Sequence, residues 1–223
     1  EEKKREDLTS DYNHYDKSYG FELQFGSPVE NHFLTYGIDY SLTENIYHQD
    51  KDYKIMGFLM PTYRGDKYPI KRSPDSATQR LGVYLQDEIK YKNFEIIGGL
   101  RFDNYKINPS QDSIYQNYCS TEGNTCPPSV PFEESKPTPK IAITYPINKE
   151  LEIWGQYSQG FRAPTWWEKE ATHINSVSDY QVLPNDELKS ESSNNFEIGL
   201  RGDFKKYNFE ITGFYNQYTN FIE

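Results

Sequence analysis

The chain has 223 residues, 35% of them hydrophobic and 26% charged, and a formal net charge of −10. No apolar run approaches the ~20 residues of a membrane-spanning helix, and the acidic balance argues against general nucleic-acid binding, which needs clustered Lys and Arg. A membrane-spanning barrel stays open, because its strands are apolar only at every second position. The chain begins with a charged run, Glu1 to Asp7, in place of a cationic leader with an apolar centre, so it reads as a mature protein or an excised piece of one. Its 20 Tyr and 13 Phe, against 2 Met and 3 Trp, favour strands and the membrane interface.

The first predicted pair joins Ser18 to Phe25 with Phe33 to Gln49, turning at Ser27 to Asn31. Phe33 to Gln49 exceeds the ~9–11 residues that cross a bilayer, so it projects past the membrane. In the second hairpin Leu81, Val83, Leu85 and Ile89 oppose Gly82, Tyr84, Gln86 and Glu88, with Asp87 interrupting the apolar face. Beyond a Lys92-Asn93 turn, Phe94, Ile96, Gly98, Leu100 and Phe102 oppose Glu95, Ile97, Gly99, Arg101 and Asp103. Lys140 to Tyr145 and Leu151 to Gly160 make a third pair around Pro146 to Glu150. In the fourth, Phe196, Ile198, Leu200, Gly202 and Phe204 alternate with Asn195, Glu197, Gly199, Arg201 and Asp203. After Lys205-Lys206 the pattern repeats in Phe209, Ile211, Gly213 and Tyr215. Alternation of period two is the strand signal, and it predicts eight strands.

Four connections are short, whereas three are long, running roughly from Asp50 to Thr78, Pro109 to Thr138 and Phe161 to Ser190. Strict alternation of tight turns and long loops is the pattern of an outer-membrane barrel, with turns at the periplasmic rim and loops outside. Tyr91, Phe94, Tyr145, Phe204 and Tyr207 fall beside the short turns, which fits an interfacial aromatic girdle, although Tyr and Phe also simply favour strands. The predicted fold is all-β: an antiparallel up-and-down transmembrane β-barrel segment of about eight strands with short periplasmic turns and long extracellular loops.

Cys119 and Cys126 flank a polar stretch in the second long loop. Two cysteines so placed point to a local disulfide in an oxidising compartment, the alternative being a pair of free thiols. No Walker loop, dinucleotide fingerprint, H-E-x-x-H or nucleophile elbow is present, so no enzyme activity and no catalytic cofactor are expected. Carboxylate pairs such as Glu133-Glu134 read as solvated surface.

The third long loop contains Gly160-Phe161-Arg162-Ala163-Pro164-Thr165, then His173, then Leu183-Pro184-Asn185-Asp186-Glu187-Leu188-Lys189. Taken alone, a single loop histidine is ordinarily a surface residue. The arrangement resembles the paired FRAP and NPNL boxes, with a histidine between them, of TonB-dependent outer-membrane haem and haemoglobin receptors. The second box here is one residue longer than NPNL. Asn195 to Leu200 and Tyr215 to Glu223 extend the resemblance, and Leu85 to Glu88 and Gly99 to Asp103 carry it more weakly.

The resemblance implies residence in the bacterial outer membrane, contact with its lipid, a TonB complex as partner, and haem as transported ligand taken from haemoglobin or another haem or iron carrier. It implies His173 as a ligand to haem iron, since a neutral imidazole on an exposed loop suits that task. Tyr180 would offer a second, phenolate ligand. Trp166 and Trp167 would either pack on the porphyrin or anchor the loop. Phe161, Arg162, Ala163, Pro164, Pro184, Asn185 and Leu188 are the motif positions. Such receptors close a barrel of about twenty-two strands, and neither a plug domain nor a TonB box is visible here, so residues 1–223 are expected to be a section of a receptor barrel. Two rivals remain: a siderophore or transferrin-iron receptor of the same superfamily, and a self-contained eight-stranded structural or adhesion barrel. The second rival requires Ser18 to Phe25 to pair with Asn208 to Tyr218.

Overall fold

A computed structural model describes residues 9–52, 69–120, 126, 129–171, 173–175 and 180–222. In chain order the elements are β1 (Thr9–Val29), β2 (His32–Asp52), β3 (Asp75–Tyr91), β4 (Phe94–Ser110), α1 (Ser113–Cys119), β5 (Phe132–Pro146), β6 (Leu151–Arg162), α2 (Trp166–Glu170), β7 (His173–Asn175), β8 (Tyr180–Val182), β9 (Glu191–Phe204) and β10 (Tyr207–Thr219). Eight strands form one antiparallel sheet in the order β1-β2-β3-β4-β5-β6-β9-β10, and β7 and β8 pair separately. The up-and-down topology follows from the tight turns, because two to four residues can only return the chain beside itself. β1 and β10 are opposite edges of the sheet and do not pair, so the closed eight-stranded barrel is not formed.

The strands outrun their alternating patterns. β1 pairs with β2 from Thr9↔Asp52 to Val29↔His32, which tightens the first turn to Glu30-Asn31 in place of the expected Ser27 to Asn31. Backbone pairing does not need apolar side chains, so the ladder continues through the polar stretch Tyr12 to Lys17 that gives no period-two signal. Pro28 is tolerated because β1 is an edge strand. The prolines of β5 obey the same rule: β6 pairs with β5 only from Lys140↔Ser158 to Pro146↔Glu152, and Pro137 and Pro139 lie where β5 has β4 alone as neighbour.

One face of the sheet is apolar and open. Leu23, Leu85, Leu100, Phe196 and Ile211 lie on it, and Ile211 is 66% exposed. An apolar surface this extensive requires a nonaqueous neighbour. Asp87, which interrupts this face in β3, is paired near the turn with His32, whose Nδ1 is 2.7 Å from Asp87 Oδ2.

The opposite face is polar and cross-linked. Arg101 reaches Asp39 and Asp103, each at 2.8 Å, while Arg80 meets Asp103 at 3.0 Å. Gly82 makes room for this network, since a Cβ there would lie 1.9 Å from Arg101 Nη2. Charged residues are held inside, where water and one another can satisfy them, and kept from the lipid face.

Deeply buried side chains concentrate at the long-loop end. Ile70, Ile107, Tyr115, Tyr118, Trp166 and Ala171 are buried there with the polar Gln49, Lys71, Lys169, Glu170 and Ser190. This small core holds the loops against the strand ends.

Candidate functional site

The first box is a strand end followed by an elbow and a helix start. Phe161 and Arg162 are the last two residues of β6, paired with Ser192 and Glu191 of β9. Ala163 and Pro164 turn the chain inward and are buried. Thr165 then caps α2: its hydroxyl accepts from Glu168 N–H at 3.2 Å, while Glu168 Oε2 accepts from Thr165 N–H at 2.7 Å. This reciprocal capping box satisfies two amides that a five-residue helix would otherwise leave unpaired. Its signature, Thr165-x-x-Glu168, is written in the sequence.

Arg162 clamps the arrangement. Its guanidinium donates to both oxygens of Glu191, at 2.8 and 2.9 Å, and to both oxygens of Glu168, at 3.1 Å. One planar fork thus ties β9 to α2, which a lysine's single point charge cannot do. Glu191 also accepts from Ile222 N–H at 2.8 Å, so the clamp extends to the segment after β10.

The two boxes meet. Asn185 N–H donates to the Lys169 carbonyl at 3.0 Å, and Lys169 Nζ reaches the Asp186 carbonyl at 3.3 Å. Asn185 also folds its own segment, its Oδ1 accepting from Glu187 N–H at 3.0 Å and its carbonyl from Leu188 N–H at 3.4 Å. Lys169 is buried with its ammonium over the Phe132 ring of β5, 5.3 Å from the centroid. Ser190 donates from both N–H and hydroxyl to Glu134 of the same strand. The outer half of β5, which lacks β6 as a neighbour, is therefore covered by these loop residues.

Between the joined boxes the chain makes the β7–β8 hairpin. His173 lies opposite Val182 and Tyr180 opposite Asn175. His173 is thus at the hairpin base, close in sequence to the end of α2, and not at the tip. The side chains of His173 and Tyr180 lie outside the described residues, as does most of the first long loop. Trp166 anchors α2: it is 8% exposed and meets Trp167 edge-on at 5.5 Å. Trp167 stays 42% exposed.

His14 lies in β1, in the first hairpin and far in sequence from the two boxes. The structure brings Trp166 onto it, with ring centroids 5.9 Å apart, and brings Trp167 to Tyr47 at 5.5 Å. No local signal announces a contact between β1 and a helix that follows β6.

The second long loop is organised by α1. Asp112 caps it by accepting from Tyr115 N–H at 2.9 Å, and also receives Lys71 Nζ at 2.6 Å; Lys71 holds Asp75 at 2.7 Å as well. Burial opposes charge on both members, but the mutual hydrogen bonds outweigh it, so Asp112 is held below the usual carboxylate range and Lys71 above the usual ammonium value. Burial pushes the Glu170 carboxyl up, against hydrogen bonding from Ser129, with Asp186 adding to the rise and Lys169 opposing it. Cys119, the last residue of α1, is disulfide-bonded to Cys126. Among the described residues no three His, Cys, Asp or Glu side chains gather as a metal cluster.

An open antiparallel meander, apolar on one face and ion-paired on the other, with every long loop at one end, defines an outer-membrane β-barrel segment. The chain belongs to the TonB-dependent receptor-like β-barrel family, whose profile matches residues 3–223. Among curated relatives, the hemoglobin-haptoglobin utilization protein B of Neisseria meningitidis serogroup C is 40% identical over 77 residues, 34% of this chain and 9% of that protein. A hemin receptor of Yersinia enterocolitica is 29% identical over 157 residues, 62% of this chain and 20% of that protein. The chain therefore spans a fifth or less of the length of these relatives. Among solved structures, the copper transporter OprC superposes with a TM-score of 0.69 at 15% identity, over 96% of this chain and 31% of that one, which establishes the fold alone.

Proposed function

We propose that this chain is an arc of the barrel wall of a TonB-dependent haem receptor, and that the whole receptor takes haem from haemoglobin or another haem-carrying host protein. The β1 and β10 edges would pair with further strands of the same protein. The loop between the joined boxes receives the ligand, His173 supplies a nitrogen to the iron, and Tyr180 and Trp167 are further contacts. The work is binding and gated passage driven through the TonB complex, without catalytic chemistry.

The observation that carries this reading is the hydrogen bond from Asn185 to Lys169, which closes the His173 segment into a loop on a fixed base. A ligand-bearing loop gains affinity when its ends are already ordered. Both curated relatives described above carry haem or haemoglobin in their names.

The test is titration of the full-length receptor with ferric haem. A Soret shift that disappears in His173→Ala supports the assignment. A shift identical in the variant removes His173 from the site, and no shift in wild type favours a siderophore or transferrin-iron receptor.

A further inference from the structure

We propose that His14, Tyr47, Trp166 and Trp167 form a second station for a flat aromatic ligand, on the inner wall of the sheet. It rests on the haem-transport reading for the ligand's identity, a metalloporphyrin, and on the geometry for its place.

His14 and Tyr47 are directly opposed in the β1–β2 register, on the polar face. Asp16 and Asn45 share that face, joined by a 2.6 Å hydrogen bond. The first residue of α2 packs on His14 although α2 follows β6, four strands from β2 in the sheet. The helix therefore reaches across the polar side of the wall to deliver both indoles.

The contacts are edge-on: His14 and Trp166 meet at 68° and Tyr47 and Trp167 at 74°. Such packing fixes the rings while leaving Trp167 substantially exposed, which is what a stacking surface for a planar ligand requires. His14 is also prepared as a donor. Its Nε2 is 3.1 Å from Asp16 Oδ1, and both side chains are about half exposed, at 52% and 50%. A carboxylate on one ring nitrogen fixes the tautomer and the ring's orientation, as in protein sites where histidine binds a metal. A histidine serving only to pack α2 would be buried by it, and His14 is not.

The first residue of α2 thus packs on His14, and His173 follows in the chain three residues after its last. A ligand released from His173 meets the exposed face of Trp167 and then His14 as it moves along the inner wall.

The test uses full-length receptor in detergent with two probes, ferric haem and metal-free protoporphyrin. In wild type, haem should give two resolved Soret phases, and His14→Ala should abolish the slower one while sparing the faster. Asp16→Asn should weaken that phase roughly tenfold. Trp167→Leu should reduce quenching of tryptophan fluorescence by metal-free protoporphyrin beyond the loss of one emitter, measured as a weaker affinity. His14→Gln, which keeps the side chain polar and comparable in size, guards against loss through unfolding and should behave as His14→Ala. His48→Ala should match wild type, because its ring stacks on Tyr15 on the other face. If wild type binds both probes and the His14, Asp16 and Trp167 variants match it, the station is overturned. If protoporphyrin quenches through Trp167 and His14→Gln weakens that quenching while haem gives no Soret change, the station stands and the haem reading falls.

Discussion

The strand wall and the loop cluster are built on opposite principles. In the wall, large apolar side chains such as Leu85 and Ile211 face outward and charges such as Arg101 and Asp103 face inward. In the loop cluster, Ile70, Tyr115 and Trp166 are buried beneath polar loops, as in a water-soluble domain. The wall's register is fixed by backbone ladders and completed by lipid, whereas the cluster is fixed by side-chain packing and completed by itself. Substitutions should therefore act on one region without moving the other.

The largest expected effect is in the cluster. Trp166→Ala removes a nearly buried indole, and such truncations cost about 3–5 kcal/mol in a packed core. Hydrogen exchange over residues 163–171 should accelerate strongly while strands β3 and β4 stay protected. Equal acceleration in both would show that the two regions unfold as one unit.

Next comes the wall. Leu85→Arg places a charge on the lipid face and should cost about 2–4 kcal/mol if it sits near the bilayer midplane, less toward the interface. Gln86→Arg, one residue away but inward-facing, should change stability by no more than about 0.5 kcal/mol. Folding into lipid vesicles measures both, and a similar cost for the pair would contradict the assignment of faces. Reduction of Cys119–Cys126 follows, at roughly 2–3 kcal/mol at most because the closed loop is short. Its effect should be confined to proteolysis near α1.

How legible each region was in the sequence follows from the same contrast. Alternation in Phe196 to Phe204 or Phe94 to Phe102 reports directly which face meets lipid, so the eight strands of the sheet and the places where they reverse were readable, though the first turn is tighter than expected. Strand ends were not, because Tyr12 to Lys17 pair through backbone groups that side-chain pattern cannot reveal. The disulfide was readable because both cysteines lie in one loop. In the site, the two boxes and the capping signal Thr165-x-x-Glu168 are local. Their meeting through Asn185 and Lys169, and the approach of Trp166 to His14, depend on how distant strands are arranged. Only the assembled sheet brings those residues together.

The smallest effect separates the two halves of the cluster by pH. Asp112 titrates below its ordinary value near 3.8 in the folded chain, so between those two values the unfolded state binds the proton and the folded state does not. The stability it contributes is complete above 3.8 and is lost as pH falls through the lowered value. Lys71, raised above 10.5, contributes in full below that value and loses its share only on the alkaline side, as pH rises through the raised one. Glu170 has the opposite sign to Asp112. Its carboxyl is raised above 4.5, so at neutral pH burial of the charged form opposes docking of α2. As pH falls through the raised value toward 4.5 the folded state takes up the proton first, and docking strengthens. Mild acidification should thus slow hydrogen exchange in α2 while leaving α1 unchanged, and α1 should loosen only below pH 3.8. Glu170→Gln should abolish the first response and keep the second. Acceleration of α2 exchange on mild acidification would show that Glu170 is charged and paired in the folded cluster, and that this end of the molecule is held by ions after all.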